Sequence, residues 1–235
     1  MKIIKFEYIL PLMRDLIDKI INVLKWPTAV FAVIMLPALL CSVRYFNFTN
    51  TRFLFFLGGG FLYFISSMSM DKSVRASIQV LGHELTHSLF AFLTFHKVKR
   101  VEIKSDDTGG SMKFEGIGNW LIIAAPYFFP FFCAVYAVVA AVVMMFLKIG
   151  LLYHLLFGYF AGYYVDIVFS QLHNEQTDLK KLGALFCFMF LPAANLWMCG
   201  NLLAYNVRGW EGLILYQKLL GQLAVSNWHA FWHFL

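Results

Sequence analysis

The chain has 235 residues, of which 60% are hydrophobic and 14% charged, with a mean hydropathy of +0.69. So little polar surface cannot cover a water-soluble globule, which leaves lipid as the solvent. A net charge of +6 would suit nucleic acid, but Lys and Arg are scattered over the termini and every loop, as basic residues flanking membrane spans are, so no nucleic-acid partner is expected.

The first 26 residues intersperse Lys5, Glu7, Arg14, Asp15, Asp18 and Lys19 among apolar positions, which breaks the uninterrupted core of a secretory signal. From Pro11 onward Leu12, Leu16, Ile20, Val23 and Leu24 recur at helical spacing. Two readings stay open for this segment: an amphipathic helix lying along the membrane surface, or a helix packed on the protein's own loops.

Residues 27–206 read as a polytopic all-α membrane domain. About six apolar stretches reach the ~20 residues that a helix needs to cross hydrocarbon. They lie near 27–43, 53–70, 76–95, 120–147, 149–169 and 182–205. No period-2 pattern fills them, which argues against a β-barrel. The 19 Lys and Arg divide 10 to 9 between the two faces of such an arrangement, so charge bias fixes no orientation. Gly58, Gly59 and Gly60 in the second stretch and Gly158 with Gly162 in the fifth are placed to let helix backbones approach closely. Cys41, Cys133, Cys187 and Cys199 fall in apolar stretches without a C-x-x-C pair and read as small buried residues.

The third stretch carries the chemistry. It contains His83-Glu84-Leu85-Thr86-His87, an H-E-x-x-H motif that places both histidines one turn apart on one helical face, within reach of a single Zn²⁺. Glu84 lies beside that face and suits the general-base role of metallopeptidases. Random placement of this chain's 7 His and its Glu residues yields about 0.005 such motifs. The plainer alternative is two neutral histidines and a protonated Glu84 bonded to neighbouring helices. Gln79 and Thr86 share the helical stripe and are candidates to wet a cavity.

A catalytic zinc site has three protein ligands, so one is missing from the motif. Residues 88–92 contain no G-x-x-H extension. Asp107 stands 20 residues beyond His87, but inside Ser105-Asp106-Asp107-Thr108-Gly109-Gly110, which reads as the turn of a short β-hairpin between 98–103 and 111–114. Asp166 in the fifth stretch reaches a depth similar to that of His87 at ~1.5 Å per residue, and an acid inside a bilayer needs a partner. Pro126, Pro130 and Pro192 each free a carbonyl one turn earlier, either bending the helix or offering an acceptor. Asn195 and Asn201 are placed to bond across helices. The aromatic tail, residues 207–235, is expected at the interface.

Together these features resemble the site-2 protease group of intramembrane zinc metallopeptidases: the H-E-x-x-H span, the hairpin ending in Gly109-Gly110, the segment Ala125-Pro126-Tyr127-Phe128-Phe129-Pro130, and Gln176-Thr177-Asp178-Leu179 before the last span. The resemblance implies that Asp178 is the third zinc ligand, against which Asp166 stands as the alternative on depth, and that a membrane-protein or peptide substrate is cleaved in or beside the bilayer. It also implies a zinc placed toward the cytosolic side and a hairpin that pairs with extended substrate. The chain lacks the family's L-D-G signature and a PDZ domain. The expected protein is thus a multi-pass zinc metalloendopeptidase, of the inner (cytoplasmic) membrane if the chain is bacterial. A silent relative that binds transmembrane segments and a zinc-binding transporter, with His154 and Asp166 extending the site, are the competing classes.

Overall fold

The structure is a computed structural model that describes residues 6–103, 110–172 and 176–234; the hairpin turn with Asp107 and residues 173–175 of the polar stretch lie outside them. Helix α1 (Phe6–Val23) is amphipathic in an unusual sense. Its apolar Leu12, Leu16, Ile20 and Val23 are exposed, whereas Asp18 is buried. Asp18 accepts hydrogen bonds from the Gly118 N–H at 3.1 Å and Asn119 Nδ2 at 2.7 Å, and pairs with His96 Nε2 at 3.0 Å. Asn22 adds bonds to the Gly118 carbonyl and the Trp120 N–H. The polar face is therefore packed on the protein's own loops, and the apolar face is left outward.

Helices α2 (Lys25–Ser42), α3 (Thr51–Ser69) and α4 (Lys72–Leu93) follow. Asn50 and Asp71 cap α3 and α4 by accepting backbone N–H groups two residues on, each at 2.8 Å. A two-stranded antiparallel sheet comes next, β1 (Val98–Ile103) with β2 (Gly110–Phe114), in the register Val98 to Phe114 and Ile103 to Gly110. This is the hairpin expected from the sequence. The chain then forms α5 (Trp120–Ala124), a 3₁₀ turn (Ala125–Tyr127), α6 (Phe131–Met144), α7 (Gly150–Gln171), the short α8 (Thr177–Leu182) and α9 (Ala184–Phe234).

Among the described residues four helical segments are long and apolar enough to cross a membrane: Lys25–Tyr45, Thr51–Ser69, Gly150–Gln171 and Ala184–His229. A fifth is added if Trp120–Tyr127 and Phe131–Met144, bent by 80°, count together. An all-α membrane architecture is therefore present, but two of the six expected spans take other forms. The long fourth stretch breaks at Pro126 and Pro130, because proline lacks the N–H that would continue the helix. The third, α4, is not among the apolar helices: Lys72, Arg75, Gln79, His83, Glu84 and His87 make it too polar.

Helices α3 and α7 are in backbone contact. A Cβ on Gly59 would stand 1.8 Å from the Leu155 carbonyl oxygen, and one on Gly158 would stand 1.8 Å from that of Phe56. The packing role read for these glycines is what the helices use. Two apolar clusters result, one of α3, α6 and α7 around Phe56, Phe157 and Tyr164, the other of α2, α5 and α9 around Trp120, Phe186 and Phe190. Helix α4 touches both, through Ile78 and Phe90. Helix α9 is interrupted at Gly209 (φ 58°, ψ −137°), and the chain folds back. Trp197 Nε1 donates to Gln217 Oε1 at 3.0 Å, and Gln217 Nε2 donates to Asn201 Oδ1 at 2.8 Å.

Candidate metal centre

Helical periodicity stacks His83 and His87 on the inner face of α4, with ring centroids 4.6 Å apart and both residues buried. Their outer nitrogens are both engaged. His87 Nδ1 lies 2.7 Å from the carbonyl oxygen of Ile122. That oxygen is free because the residue four positions on is Pro126, which has no N–H to return to it. A carbonyl can only accept, so His87 Nδ1 carries the proton and its Nε2 keeps a lone pair. His83 Nδ1 is bonded in the same way to Oε1 of Gln171, at the end of α7.

Both bare Nε2 atoms then face inward, 3.0 Å apart. Asp178, in the first turn of α8, brings Oδ2 to 3.1 Å from His87 Nε2 and 3.6 Å from His83 Nε2. Three electron-pair atoms thus converge within 4.8 Å of one another. A shared proton can bridge one pair of them; a metal ion bridges all three. Tetrahedral zinc with bonds of ~2.0–2.1 Å sets its ligands ~3.3 Å apart, and the three separations here bracket that spacing. The donor set therefore fits Zn²⁺, and Gln171 and Ile122 supply the outer hydrogen bonds that orient ligating histidines.

Asp166 is brought elsewhere. It is buried and accepts from Tyr63 Oη at 2.6 Å and Gln79 Nε2 at 2.9 Å, and it is ion-paired to Arg75. These bonds tie α3, α4 and α7 together. Its need for a partner, read from its depth, is met by an arginine in place of a metal. Gln79 is used in that network, and Thr86 Oγ1 returns its proton to the Gly82 carbonyl at 2.7 Å, so neither is left to solvate a cavity. His154 bonds Asn206 at 2.9 Å and does not join the cluster.

Glu84 is buried beside the histidines but is not one of the converging ligands. The first residue of β2 sits on it: a Cβ on Gly110 would lie 2.8 Å from both Cγ and Oε1 of Glu84, and 2.7 Å from Val80 Cγ1. Tyr127 stands with its ring edge-on to His83, at 5.4 Å between centroids. Gln171, Gly110 and Tyr127 were not singled out as site residues from sequence. The only signal for Gln171 was an amide at the inner end of an apolar span, five residues beyond Asp166.

No curated protein and no solved structure matches the chain. A family model does match residues 74–163, from the first turn of α4 through the hairpin and the proline break into α7, ending before Gln171 and Asp178. That model is described as Peptidase M50B-like, and the segment it matches includes the H-E-x-x-H helix, the hairpin and the proline-bearing segment on which the resemblance to site-2 proteases rests in part.

Proposed function

We propose that the protein is a zinc-dependent peptidase that hydrolyses peptide bonds of membrane-protein or peptide substrates in or beside the bilayer. The observation that carries this reading is the convergence of His83 Nε2, His87 Nε2 and Asp178 Oδ2 beside a buried Glu84 that is left out of the ligand set. Zn²⁺ bound there supplies Lewis acidity, which brings water deprotonation into the neutral range and polarises a carbonyl. His83, His87 and Asp178 hold the ion, while Gln171 and the Ile122 carbonyl fix the tautomer and tilt of the two rings. Glu84 accepts the proton of the attacking water and returns it to the departing amine nitrogen. Strand β2 pairs only with β1 among the described residues, and Gly110 on it abuts Glu84. Its other edge offers main-chain groups to an extended substrate next to the base.

The test is detergent-purified protein and three chains. Wild type should hold about one zinc per chain, as an H-E-x-x-H centre with a third carboxylate does. Glu84→Gln should keep that zinc and lose ~10² to 10⁴-fold in cleavage of any co-expressed membrane-protein substrate that wild type cuts. His83→Ala should lose both. Equal turnover by wild type and Glu84→Gln would refute the peptidase. Zinc with binding of a substrate that neither chain cuts would assign the silent-binder class instead.

A further inference from the structure

Tyr127 belongs to a run of aromatic residues, Tyr127-Phe128-Phe129-Pro130-Phe131-Phe132, in which it alone carries a hydroxyl. Packing needs only the ring, as the four phenylalanines around it demonstrate. The Tyr127 side chain has no solvent exposure, and its hydroxyl has no hydrogen-bond partner among the described residues. Buried hydroxyls are almost always bonded, so an orphan beside a reactive cluster calls for a physical reason. The ring lies edge-on to His83, with centroids 5.4 Å apart.

The segment that carries it is also held from several sides. Asn195 Nδ2 donates to the Tyr127 carbonyl at 3.0 Å, Tyr164 Oη donates to that of Phe128 at 3.0 Å, and His87 Nδ1 donates to that of Ile122 at 2.7 Å. The last bond fixes the phenol's segment to one of the metal-binding rings themselves. A donor that is rigid, dry and unpaired in the resting protein is what stabilises charge that appears only during a reaction, since nothing has to reorganise when the charge develops.

We infer that the Tyr127 hydroxyl is an oxyanion-binding group of this site, donating a hydrogen bond to the substrate carbonyl oxygen as peptide hydrolysis makes it negative. The inference rests on the peptidase reading above. In the step it serves, the water oxygen forms a bond to the carbonyl carbon, its proton goes to Glu84, and the carbonyl π pair moves onto oxygen. Tyr127 donates to that oxygen and keeps its own proton. When the C–N bond breaks, the pair returns to re-form the carbonyl and Glu84 passes its proton to the amine nitrogen.

The experiment compares zinc-loaded wild type and Tyr127→Phe in detergent, with a phosphinic pseudodipeptide carrying leucine side chains as the probe. Its tetrahedral anionic phosphinate reproduces the oxyanion, and ordinary leucyl-leucine serves as the ground-state control. Tyr127→Phe should keep its zinc and its thermal midpoint, since the lost hydroxyl bonded to nothing. It should bind the phosphinate at least about 10-fold more weakly with leucyl-leucine binding unchanged, and lose ~10² to 10³-fold in kcat on any cleaved substrate, as loss of one oxyanion donor does. Equal phosphinate affinity in the two zinc-loaded proteins overturns the assignment while leaving the peptidase reading intact, and so does a zinc-loaded wild type that ignores the phosphinate. A marked fall in the thermal midpoint of Tyr127→Phe also overturns it, by showing that the hydroxyl is already bonded at rest. Wild type that holds no zinc removes the peptidase reading and this inference with it.

Discussion

Replacing the two buried carboxylates one at a time by asparagine gives opposite phenotypes, and the structure sets the size of each. Asp166→Asn keeps the shape of the side chain but leaves the Arg75 guanidinium without its counter-charge and weakens the bonds from Tyr63 and Gln79. Breaking a fully buried pair costs ~3–5 kcal/mol. Here the Arg75 side chain is 37% exposed, so solvent takes up part of the charge and the cost falls to about 1–3 kcal/mol. Zinc should stay, because Asp166 touches no ligand. Asp178→Asn leaves at most a neutral amide oxygen in place of the carboxylate whose Oδ2 stands 3.1 Å from His87 Nε2. Outer hydrogen bonds to zinc ligands are already worth ~10 to 100-fold in affinity, so a direct ligand should exceed the upper figure. The metal-free stability should change little, since among the described residues the ion-pair partner of Asp178 besides the two histidines is the exposed Lys181, a pair worth about 0–1 kcal/mol. Zinc content of purified protein, competition with a chromophoric chelator, and thermal unfolding in the presence of chelator read the three quantities. An Asp166→Asn chain stripped of zinc beside an Asp178→Asn chain that retains it would refute the assignment.

Gln171→Leu should weaken zinc binding ~10 to 100-fold, because His83 loses the acceptor that fixes its tautomer; chelator competition measures it, and unchanged affinity would count against that bond. Gly110→Ala should keep zinc and fold yet lower kcat by about 100-fold, since its new methyl group displaces the flexible Glu84 carboxylate and a misplacement of ~1 Å is worth that much. Gly158→Leu should abolish recovery of monodisperse protein, because even its Cβ meets the Phe56 carbonyl of α3 at 1.8 Å; Gly221→Ala, facing open space, is the control that should extract normally.

The parts of this molecule that sequence revealed are those encoded locally. Lipid solvation follows from composition, His83 and His87 from helical spacing, the hairpin from strand residues flanking a glycine-bearing turn, and the α3–α7 contact from glycines at 58–60 and at 158 and 162. The third ligand was open on residues alone, because Asp166 inside the bilayer demanded a partner while Asp178 came only from the resemblance; the fold pairs Asp166 with Arg75 and brings Asp178 to the histidines. Gln171 and Tyr127 were invisible for the same reason: an amide near a span terminus and one tyrosine among phenylalanines carry no signal until the chain brings them to His83. The fourth stretch was counted as one span, but the prolines named in it do both things read for them, breaking the helix and freeing the Ile122 carbonyl as an acceptor.

That break and the polarity of α4 have one explanation. A helix carrying Arg75, Gln79, His83, Glu84, Thr86 and His87 cannot face hydrocarbon, where single charged groups cost ~2.5–3.5 kcal/mol at mid-depth even on lenient scales. It survives at the centre of the bundle because its polar groups find acceptors on neighbours: Arg75 and Gln79 on Asp166, His83 on Gln171, His87 on Ile122. Three of those four interactions end on α7 side chains, Asp166 and Gln171, but the fourth needs a bare backbone oxygen, which an intact helix does not offer. Pro126 releases it and aims the freed carbonyl at the ring that must present its opposite nitrogen inward, and together with Pro130 it breaks the apolar fourth stretch into α5 and α6 at 80°. One of the two prolines that spoil a transmembrane helix is thus the residue that sets the tautomer of His87.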